Sequence, residues 1–356
     1  MLLARAGQRV LLIDRGRYGT DTVSTHALMR GAVVQLYRWN VLPAIVAAGT
    51  TPIRRATFFY AADAVSVAIN PRDGIEALYA PRRYVLDRLL VDAAAAAGAD
   101  VAFGVHLREL QRSSSGRVTG VVLEDESARV HHVASRVVVG ADGLRSTVAR
   151  LVEAPAYRVG RHATATIYGH WSGLEVGGYE WYFVPGLSGG AIPTNDGQVC
   201  VSLSVPDREF TRLFAHQQDR AFVELLSQVA PGLAGQIRRE GPVGLHGFPG
   251  HRGFFRRSHG PGWALVGDAG YFKDPLTAHG ITDALRDAEL VATAIEDGSD
   301  AALADYQEQR DAASLEVFEN TDAIASFDWD LAEVRSLHEA LARSMAREVK
   351  LLLVGA

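Results

Sequence analysis

Short apolar runs that end in an acidic residue recur along this sequence. Residues 10–13 form a continuous apolar run closed by Asp14, and residues 263–266 lead directly into Gly267 and Asp268. Short continuous apolar runs are typical of strands in a parallel sheet, which are buried on both faces. Because parallel strands end at one edge of their sheet, we expect these acids to lie at the carboxyl end of that sheet.

A third run of the same kind, residues 136–139, enters Asp142 and Gly143. Taken singly, each aspartate is a weak signal, because an aspartate after a buried strand often only shapes a turn. Gly280, however, begins a predicted helix about a dozen residues after Asp268. The free N–H groups and positive dipole end of a helix start favour an electron-rich ligand. Together these features predict a ligand site.

Elsewhere the spacing of apolar residues predicts both helices and strands. Residues 25–36 and 83–97 have the period of helices, and Asp21 or Ser24 can cap the first of them. Alternating apolar and polar residues predict a hairpin and a three-stranded meander, at residues 56–69 and 107–133.

Residues 156–242 alternate as aromatic-rich strands and then supply one helix, and the chain is helical from residue 300. We therefore predict an α/β fold: a Rossmann-like domain with an inserted, mostly antiparallel sheet domain for the substrate and a C-terminal helical segment. These three units are expected at residues 1–155 with 243–298, at 156–242, and at 299–356.

Composition narrows the function classes. The 356 residues carry a net charge of −5, so no basic field favours nucleic acid or anionic membranes. The single cysteine, Cys200, excludes a disulfide framework and a cysteine-rich metal site; it is expected to be a buried small hydrophobe in a cytoplasmic protein. We predict no metal site. No apolar run reaches the roughly 18 residues that span a membrane, and no signal peptide is recognisable.

One expected element is absent from the start of the sequence. In a dinucleotide-binding fold, an acid such as Asp14 follows a glycine-rich phosphate loop by about 20 residues. No GxGxxG precedes Asp14. We therefore expect Met1 to be an internal methionine of a longer parent, and the chain to hold a pyrophosphate poorly.

Four segments, VLLIDR, PRRYVLDRLL, VVVGADGLRSTVAR and ALVGDAGYFKDPLTAHGITDAL, together resemble the flavoprotein monooxygenase superfamily with the para-hydroxybenzoate hydroxylase-like fold. The last of them is most similar to the branch that holds geranylgeranyl reductases and flavin-dependent halogenases. The resemblance covers nearly the whole chain and has little specificity between residues 156 and 242. It implies FAD as the cofactor, NAD(P)H as the reductant, and molecular oxygen and a small molecule as substrates.

The resemblance also implies roles for particular residues. The carboxylate of Asp268 would accept a hydrogen bond from the ribityl chain of FAD. His279 and His26 are the candidate proton carriers, with a purely structural role as the alternative for each. The remaining cofactor contacts implied are the adenosine ribose at Asp14 and Arg15, the phosphate or ribityl chain at Arg83, adenine at the Leu107 backbone, the two motifs at Asp142-Gly143 and Gly267-Asp268, and the flavin ring at Pro275 and Gly280.

Halogenation is not expected, because those enzymes use a lysine well before the Gly-Asp motif and here no lysine precedes Lys273. The stretch YEWYFVP at residues 179–185 is nearer the Tyr-x-Trp-x-Phe-Pro pattern of the reductases, with one residue inserted. We predict an NAD(P)H-using monooxygenase that hydroxylates a hydrophobic or aromatic small molecule. A flavin-dependent reductase of isoprenoid-type double bonds and a non-catalytic remnant are the alternatives. The oligomeric state is not predicted.

Overall fold

The computed structural model describes residues 1–214, 216–241 and 243–354. Residues 215, 242, 355 and 356, which belong to the predicted substrate and C-terminal segments, lie outside this description. The helices are α1 Leu2–Arg5, α2 Arg30–Arg38, α3 Leu42–Ala47, α4 Arg83–Ala96, α5 Thr147–Leu151, α6 Phe210–Phe214, α7 Gln218–Val229, α8 Pro231–Glu240, α9 Gly280–Asp297, α10 Asp300–Ala325 and α11 Leu331–Val354. Among the described residues, none of these helices is long and apolar enough to cross a membrane.

The strands are numbered from the amino terminus. They are β1 Leu11–Asp14, β2 Arg55–Tyr60, β3 Asp63–Ala68, β4 Asp100–Phe103, β5 His106–Arg112, β6 Val118–Glu124, β7 Val130–Ala134, β8 Val138–Gly140, β9 Ala156–Val159, β10 Thr164–Ser172, β11 Tyr179–Val184, β12 Leu187–Pro193, β13 Gln198–Pro206, β14 His246–Phe248, β15 Phe254–Arg256, β16 His259–Gly260, β17 Trp263–Leu265 and β18 Tyr271–Phe272. This mixed α/β architecture confirms the predicted fold class.

The strands predicted to be parallel lie in two separate small sheets. β1 pairs with β4, and β8 pairs with β17, both in parallel. Within the described residues β1 has no second neighbour, and its Leu11 is 43% exposed. The apolar run was predicted at the right place, but the expectation of burial was wrong, because a strand with one partner leaves its other edge to solvent.

The largest sheet has seven strands in the order β14-β10-β13-β12-β11-β2-β3. All neighbouring strands are antiparallel except β11 and β2. The sheet is thus mostly antiparallel, as the sequence predicted. The β2–β3 hairpin and β14 come from outside residues 156–242, so this sheet draws on flanking sequence. The domain boundaries stay a prediction.

Strand β12 and helix α8 were not predicted. The sequence of β12 contains Gly189 and Gly190, which are typical of turns rather than strands. A Cβ atom at Gly190 would lie 3.0 Å from the ring of Trp181. Glycine here therefore lets the neighbouring strand carry a large aromatic side chain.

Helices cover both faces of the seven-stranded sheet. On one face, Phe222 and Leu226 of α7 pack with Trp171. On the other face, Tyr60 and Phe183 pack against apolar side chains of α10, α11 and the segment between them. Alternation along β11 explains this division, because Tyr182 and Phe183 point to opposite faces. The C-terminal helices thus close one side of the sheet.

His338 of α11 lies inside this second apolar cluster, where its Nδ1 is 3.0 Å from the hydroxyl of Tyr60. Burial lowers the pKa of His338 to about 4. Below pH 6.5 the unfolded chain binds a proton that the folded chain excludes, so stability is lost as the pH falls from 6.5 to about 4, by up to about 1.4 kcal/mol per pH unit. Replacing His338 with glutamine should flatten this dependence in urea denaturation between pH 4.5 and 7.5.

Phe58→Leu serves as the control for His338→Gln, because it disturbs the same cluster without removing a titrating group. Phe58 and His338 have their ring centres 5.7 Å apart. The control should lower the free energy of unfolding by a similar amount at every pH. If His338→Gln runs parallel to the wild type instead, the proposed origin of the pH dependence is wrong.

The segment before α2 differs from the prediction. A helix was expected over residues 25–36, but α2 begins at Arg30. Neither candidate cap acts on it: Asp21 pairs with Arg82, and the hydroxyl of Ser24 accepts a hydrogen bond from the N–H of His26. The backbone of His26 is left-handed, with φ of 45°, which a helix does not allow.

Candidate functional site

The three predicted acids lie at, or just after, the carboxyl end of a parallel strand. Asp14 is the last residue of β1, Asp142 comes two residues after β8, and Asp268 lies in a tight turn after β17. Gly267 opens that turn with φ of 55°, a left-handed value that favours glycine. Its N–H donates to the carboxylate of Asp287 on α9 at 3.0 Å. This bond fixes the turn against the helix that follows.

Asp268 has a carboxylate without a hydrogen-bond donor among the described residues. Burial raises its pKa to about 6, against the opposing charges of Lys273 and Arg83. A Cβ atom at Gly280 would lie 3.9 Å from Oδ1 of Asp268, so this oxygen faces the start of α9. A partly buried carboxylate that lacks a donor fits a ligand hydroxyl. The site therefore fits the ribityl end of FAD.

Arg83 is the first residue of α4 and forms a bidentate ion pair with Asp87, with N···O distances of 2.8 and 2.9 Å. Its charge also lowers the pKa of Asp268, so the guanidinium lies within electrostatic reach of the site. Arg83 therefore has a structural role in the ion pair with Asp87. The pair leaves the Arg83 side chain 28% exposed, and an anionic ligand can still approach it.

Asp142 caps a helix. Its carboxylate accepts hydrogen bonds from the Ser146 hydroxyl at 2.5 Å and from the Thr147 N–H at 2.6 Å, at the start of α5. Gly143 beside it has φ of 74° and no atom within 4 Å of a would-be Cβ. Any ligand contact in this turn would therefore involve the open backbone at Gly143, while Asp142 shapes the turn.

The predicted adenosine contacts lie on the surface or on a strand. Asp14 and Arg15 are exposed, and Oδ1 of Asp14 accepts the N–H of Gly16 at 2.6 Å. Leu107 lies on β5 and packs its side chain against a buried apolar cluster. Pro275, a predicted contact of the flavin ring rather than of adenosine, begins a single helical turn capped by Asp274. Their contacts with FAD stay predictions.

A buried network of charges at the start of α9 was missed from the sequence. Nη1 of Arg286 lies 2.9 Å from Oδ1 of Asp283, and Arg286 also pairs with Asp287 and with Glu348 of α11. Lys273 pairs with Asp283. All five side chains are at most 4% exposed. The only sequence signal is the run of charged residues within the otherwise apolar α9.

His279 joins this network. Its Nε2 is 2.5 Å from a carboxylate oxygen of Glu348, and its Nδ1 is buried without a partner among the described residues. Burial lowers the pKa of His279, while Glu348 opposes this. Burial also lowers the pKa of Lys273 to about 7. A buried group that titrates near neutrality can exchange a proton.

His26, the other predicted proton carrier, lies in different surroundings. Its ring stacks on that of His170 of β10, with centres 5.4 Å apart. Nδ1 of His26 lies 3.0 Å from the carbonyl oxygen of Ser24. The two histidines therefore belong to separate sites, one at the start of α9 and one against the seven-stranded sheet.

Partly buried apolar side chains pack against two buried clusters, one that includes residues of α2 and one that includes residues of α10 and α11. Phe58 and Trp181 belong to the rims of both clusters. Leu276, Ala278 and Ile281 come from the turn and helix start that follow Asp268. These five residues, here called the apolar wall, offer apolar surface beside Gly280, which faces Asp268.

Comparisons with known proteins agree with this geometry. The family described as "FAD binding domain" matches residues 1–175. Digeranylgeranylglycerophospholipid reductase 1 of Methanopyrus kandleri is 30% identical over 281 residues, which cover 72% of this chain and 70% of that protein. Menaquinone reductase of Mycolicibacterium smegmatis is 27% identical over 315 residues, 83% of this chain and 72% of the relative.

Among solved structures, PqsL of Pseudomonas aeruginosa, described as a probable FAD-dependent monooxygenase, superposes with a TM-score of 0.77. The match covers 97% of this chain and 94% of PqsL at 19% identity, which shows a shared fold. The resemblance inferred from the sequence motifs is thus confirmed. The chain belongs to the FAD-dependent oxidoreductase superfamily with the para-hydroxybenzoate hydroxylase-like fold, on the branch that includes the geranylgeranyl reductases.

Proposed function

We propose that this flavoprotein oxidoreductase is an NAD(P)H-using monooxygenase that hydroxylates a hydrophobic or aromatic small molecule. The observation that carries the proposal is the apolar wall, which includes residues of the turn and helix start after Asp268 and packs against the apolar cluster of α10 and α11. When bound, FAD supplies the transfer of electrons from NAD(P)H to oxygen. The single cysteine of the protein, Cys200, is buried and free, which supports a location in the reducing cytoplasm.

In this proposal each residue of the site has its own role. Asp268 would accept a hydrogen bond from a ribityl hydroxyl, and the free N–H groups at the start of α9 would stabilise negative charge on the flavin ring. Phe58 and Trp181 hold the substrate and exclude water, which strengthens electrostatic interactions in the site. His279 exchanges a proton through its unpartnered Nδ1.

Reduction of an isoprenoid-type double bond is the second candidate function. The relatives of known function that are 27–30% identical are named as reductases, and β11 carries the Tyr-x-Trp-x-Phe pattern beside the apolar wall. Adding a hydride to a double bond also requires a proton. Lys273, whose pKa is lowered to about 7, is a buried group that can supply one.

One probe distinguishes these functions. A short prenylated naphthol offers both an aromatic ring and isoprenoid double bonds, and unlike a quinone it does not itself accept electrons from reduced flavin. The FAD-loaded protein should consume NAD(P)H only when oxygen is present and yield a product that gains one oxygen atom from ¹⁸O₂, read by mass spectrometry. A gain of two hydrogen atoms under anaerobic conditions would instead establish the reductase. A protein that retains no FAD, or turns over nothing, would support the non-catalytic remnant.

Trp181→Ala tests whether the apolar wall binds the substrate. Loss of its aromatic contact area should raise KM for the probe about 10-fold, at roughly 1.5 kcal/mol of lost burial, with FAD content unchanged. The matched control is Tyr37→Ala, since Tyr37 is an aromatic residue of α2 that is 49% exposed. Equal KM values for both variants would place the substrate elsewhere.

A further inference from the structure

His26, His170 and Cys200 form a cluster of metal-ligating side chains that the proposed reaction does not use. One potential ligand atom from each residue lies within 4.8 Å of the other two. His170 and Cys200 face each other as cross-strand neighbours of β10 and β13. His26 reaches them from the loop before α2 and stacks on His170. The cluster therefore joins the amino-terminal loop to the seven-stranded sheet.

The two imidazoles present nitrogen atoms that lack partners. Nε2 of His26 and Nε2 of His170 are both buried without a hydrogen bond in the described part of the chain. His26 is only 3% exposed, and leaving such a group unsatisfied costs about 1–3 kcal/mol. Because Nδ1 of His26 donates to the Ser24 carbonyl oxygen, its proton is on Nδ1 and Nε2 carries a free lone pair. Metal-bound histidines have this same arrangement.

We propose that His26, His170 and Cys200 bind a divalent zinc ion, with water as the fourth ligand. Imidazole nitrogen and thiolate sulfur are the ligands that zinc prefers, at bond lengths of about 2.0–2.3 Å. Two ligand atoms of one ion can then be at most about 4.6 Å apart, so small side-chain shifts bring the three atoms together. On binding, the Cys200 thiol loses its proton to solvent and a Zn–S bond forms, with no redox change.

Neighbouring charges permit a cation here. A neutral imidazole binds zinc through its free lone pair, and no charged side chain is hydrogen-bonded to either ring in the described part of the chain. The nearest charged groups, Asp21 and Arg82, form an ion pair and offset each other. A zinc ion on Nε2 would occupy the atom that a proton carrier uses, so this site and the predicted catalytic role of His26 are mutually exclusive.

The second cluster of potential ligands, His279, Asp283 and Glu348, does not compete. Its carboxylates are already paired with Arg286 and Lys273. Removing those cations from the carboxylates to admit a metal would leave buried positive charges unpaired. The second cluster is therefore not expected to bind zinc.

Cobalt substitution tests the zinc site. The FAD-loaded protein, freed of metal with a chelator, is titrated with Co²⁺, and the ion is counted by mass spectrometry after desalting. We expect one equivalent, with tetrahedral Co²⁺ bands in the red, where oxidised flavin does not absorb, and a thiolate-to-metal band in the near ultraviolet. Zn²⁺ should displace Co²⁺ and abolish both signals.

Variants then assign the ligands. Cys200→Ser should abolish the thiolate band, and His170→Gln should weaken binding by at least about 10-fold. His246→Gln is the matched control, because the rings of His170 and His246 both contact Tyr168 but His246 lies outside the cluster. Binding well below one equivalent by the unmutated protein, or a Co²⁺ spectrum without a thiolate band, would overturn the proposal, and neither result depends on how the variants fold.

Discussion

Replacing Asp268 with alanine is expected to weaken FAD binding by about 10- to 150-fold, the equivalent of about 1.5–3 kcal/mol for a hydrogen bond to a charged group. The carboxylate faces the start of α9 and lacks a donor that a ribityl hydroxyl would supply. Titration of the apoprotein with FAD, followed by quenching of flavin fluorescence, measures the change. Asp268→Asn should have a smaller effect, because an amide oxygen still accepts a hydrogen bond.

The stability of the apoprotein shows whether Asp268→Ala weakens FAD binding directly or by misfolding. Because burial raises the pKa of Asp268 to about 6, the folded protein binds this proton more tightly than the unfolded chain. The contribution of this carboxyl to the stability of the folded protein is therefore lost as the pH rises through 6. The apoprotein of Asp268→Ala should be at least as stable as the wild type at pH 8. Asp305→Ala, an exposed change on α10, is the control. Unchanged FAD affinity in Asp268→Ala would refute the assigned contact.

Replacing Arg286 with methionine should destabilise the fold by about 3–5 kcal/mol, the usual effect of breaking a buried ion pair from one side. Methionine keeps the aliphatic stem but leaves the carboxylates of Asp283, Asp287 and Glu348 with less positive charge among them. The free energy of unfolding, measured in urea at pH 7.5, gives the change directly. Lowering the pH should recover part of the loss, because protonation removes the unpaired charge.

Arg335→Met is the control for the network. Arg335 lies on the surface of α11, where its side chain is 52% exposed and 3.7 Å from Glu339. Exposed pairs of this kind contribute about 0–1 kcal/mol. Similar losses for both arginine variants would mean that the buried network does not hold α9 and α11 together.

The sequence predicted those features whose causes are local. A strand that ends in Asp14 or Gly267-Asp268 is encoded within a few residues, so these turns were placed correctly. The start of α9 at Gly280 follows from local pattern in the same way. The fold class then followed from the order of such elements and from motif resemblance.

Features that depend on distant partners could not be predicted. Ser24 lies in a loop whose backbone donates to the hydroxyl of Tyr168, 144 residues away, so its local capping pattern was misleading. Glu348 reaches Arg286 across 62 residues, and no spacing rule links them. Likewise, His26 meets His170 only because the loop folds onto β10.

The contact between Arg286 and Glu348 also affects folding during synthesis. When α9 leaves the ribosome, Arg286 has only Asp283 and Asp287 as partners, and Glu348 follows 62 residues later. At about 5–20 residues per second, this interval lasts about 3–12 s. During it, α9 must keep its charges in water rather than in the core. Its final docking against the rest of the molecule therefore waits for α11.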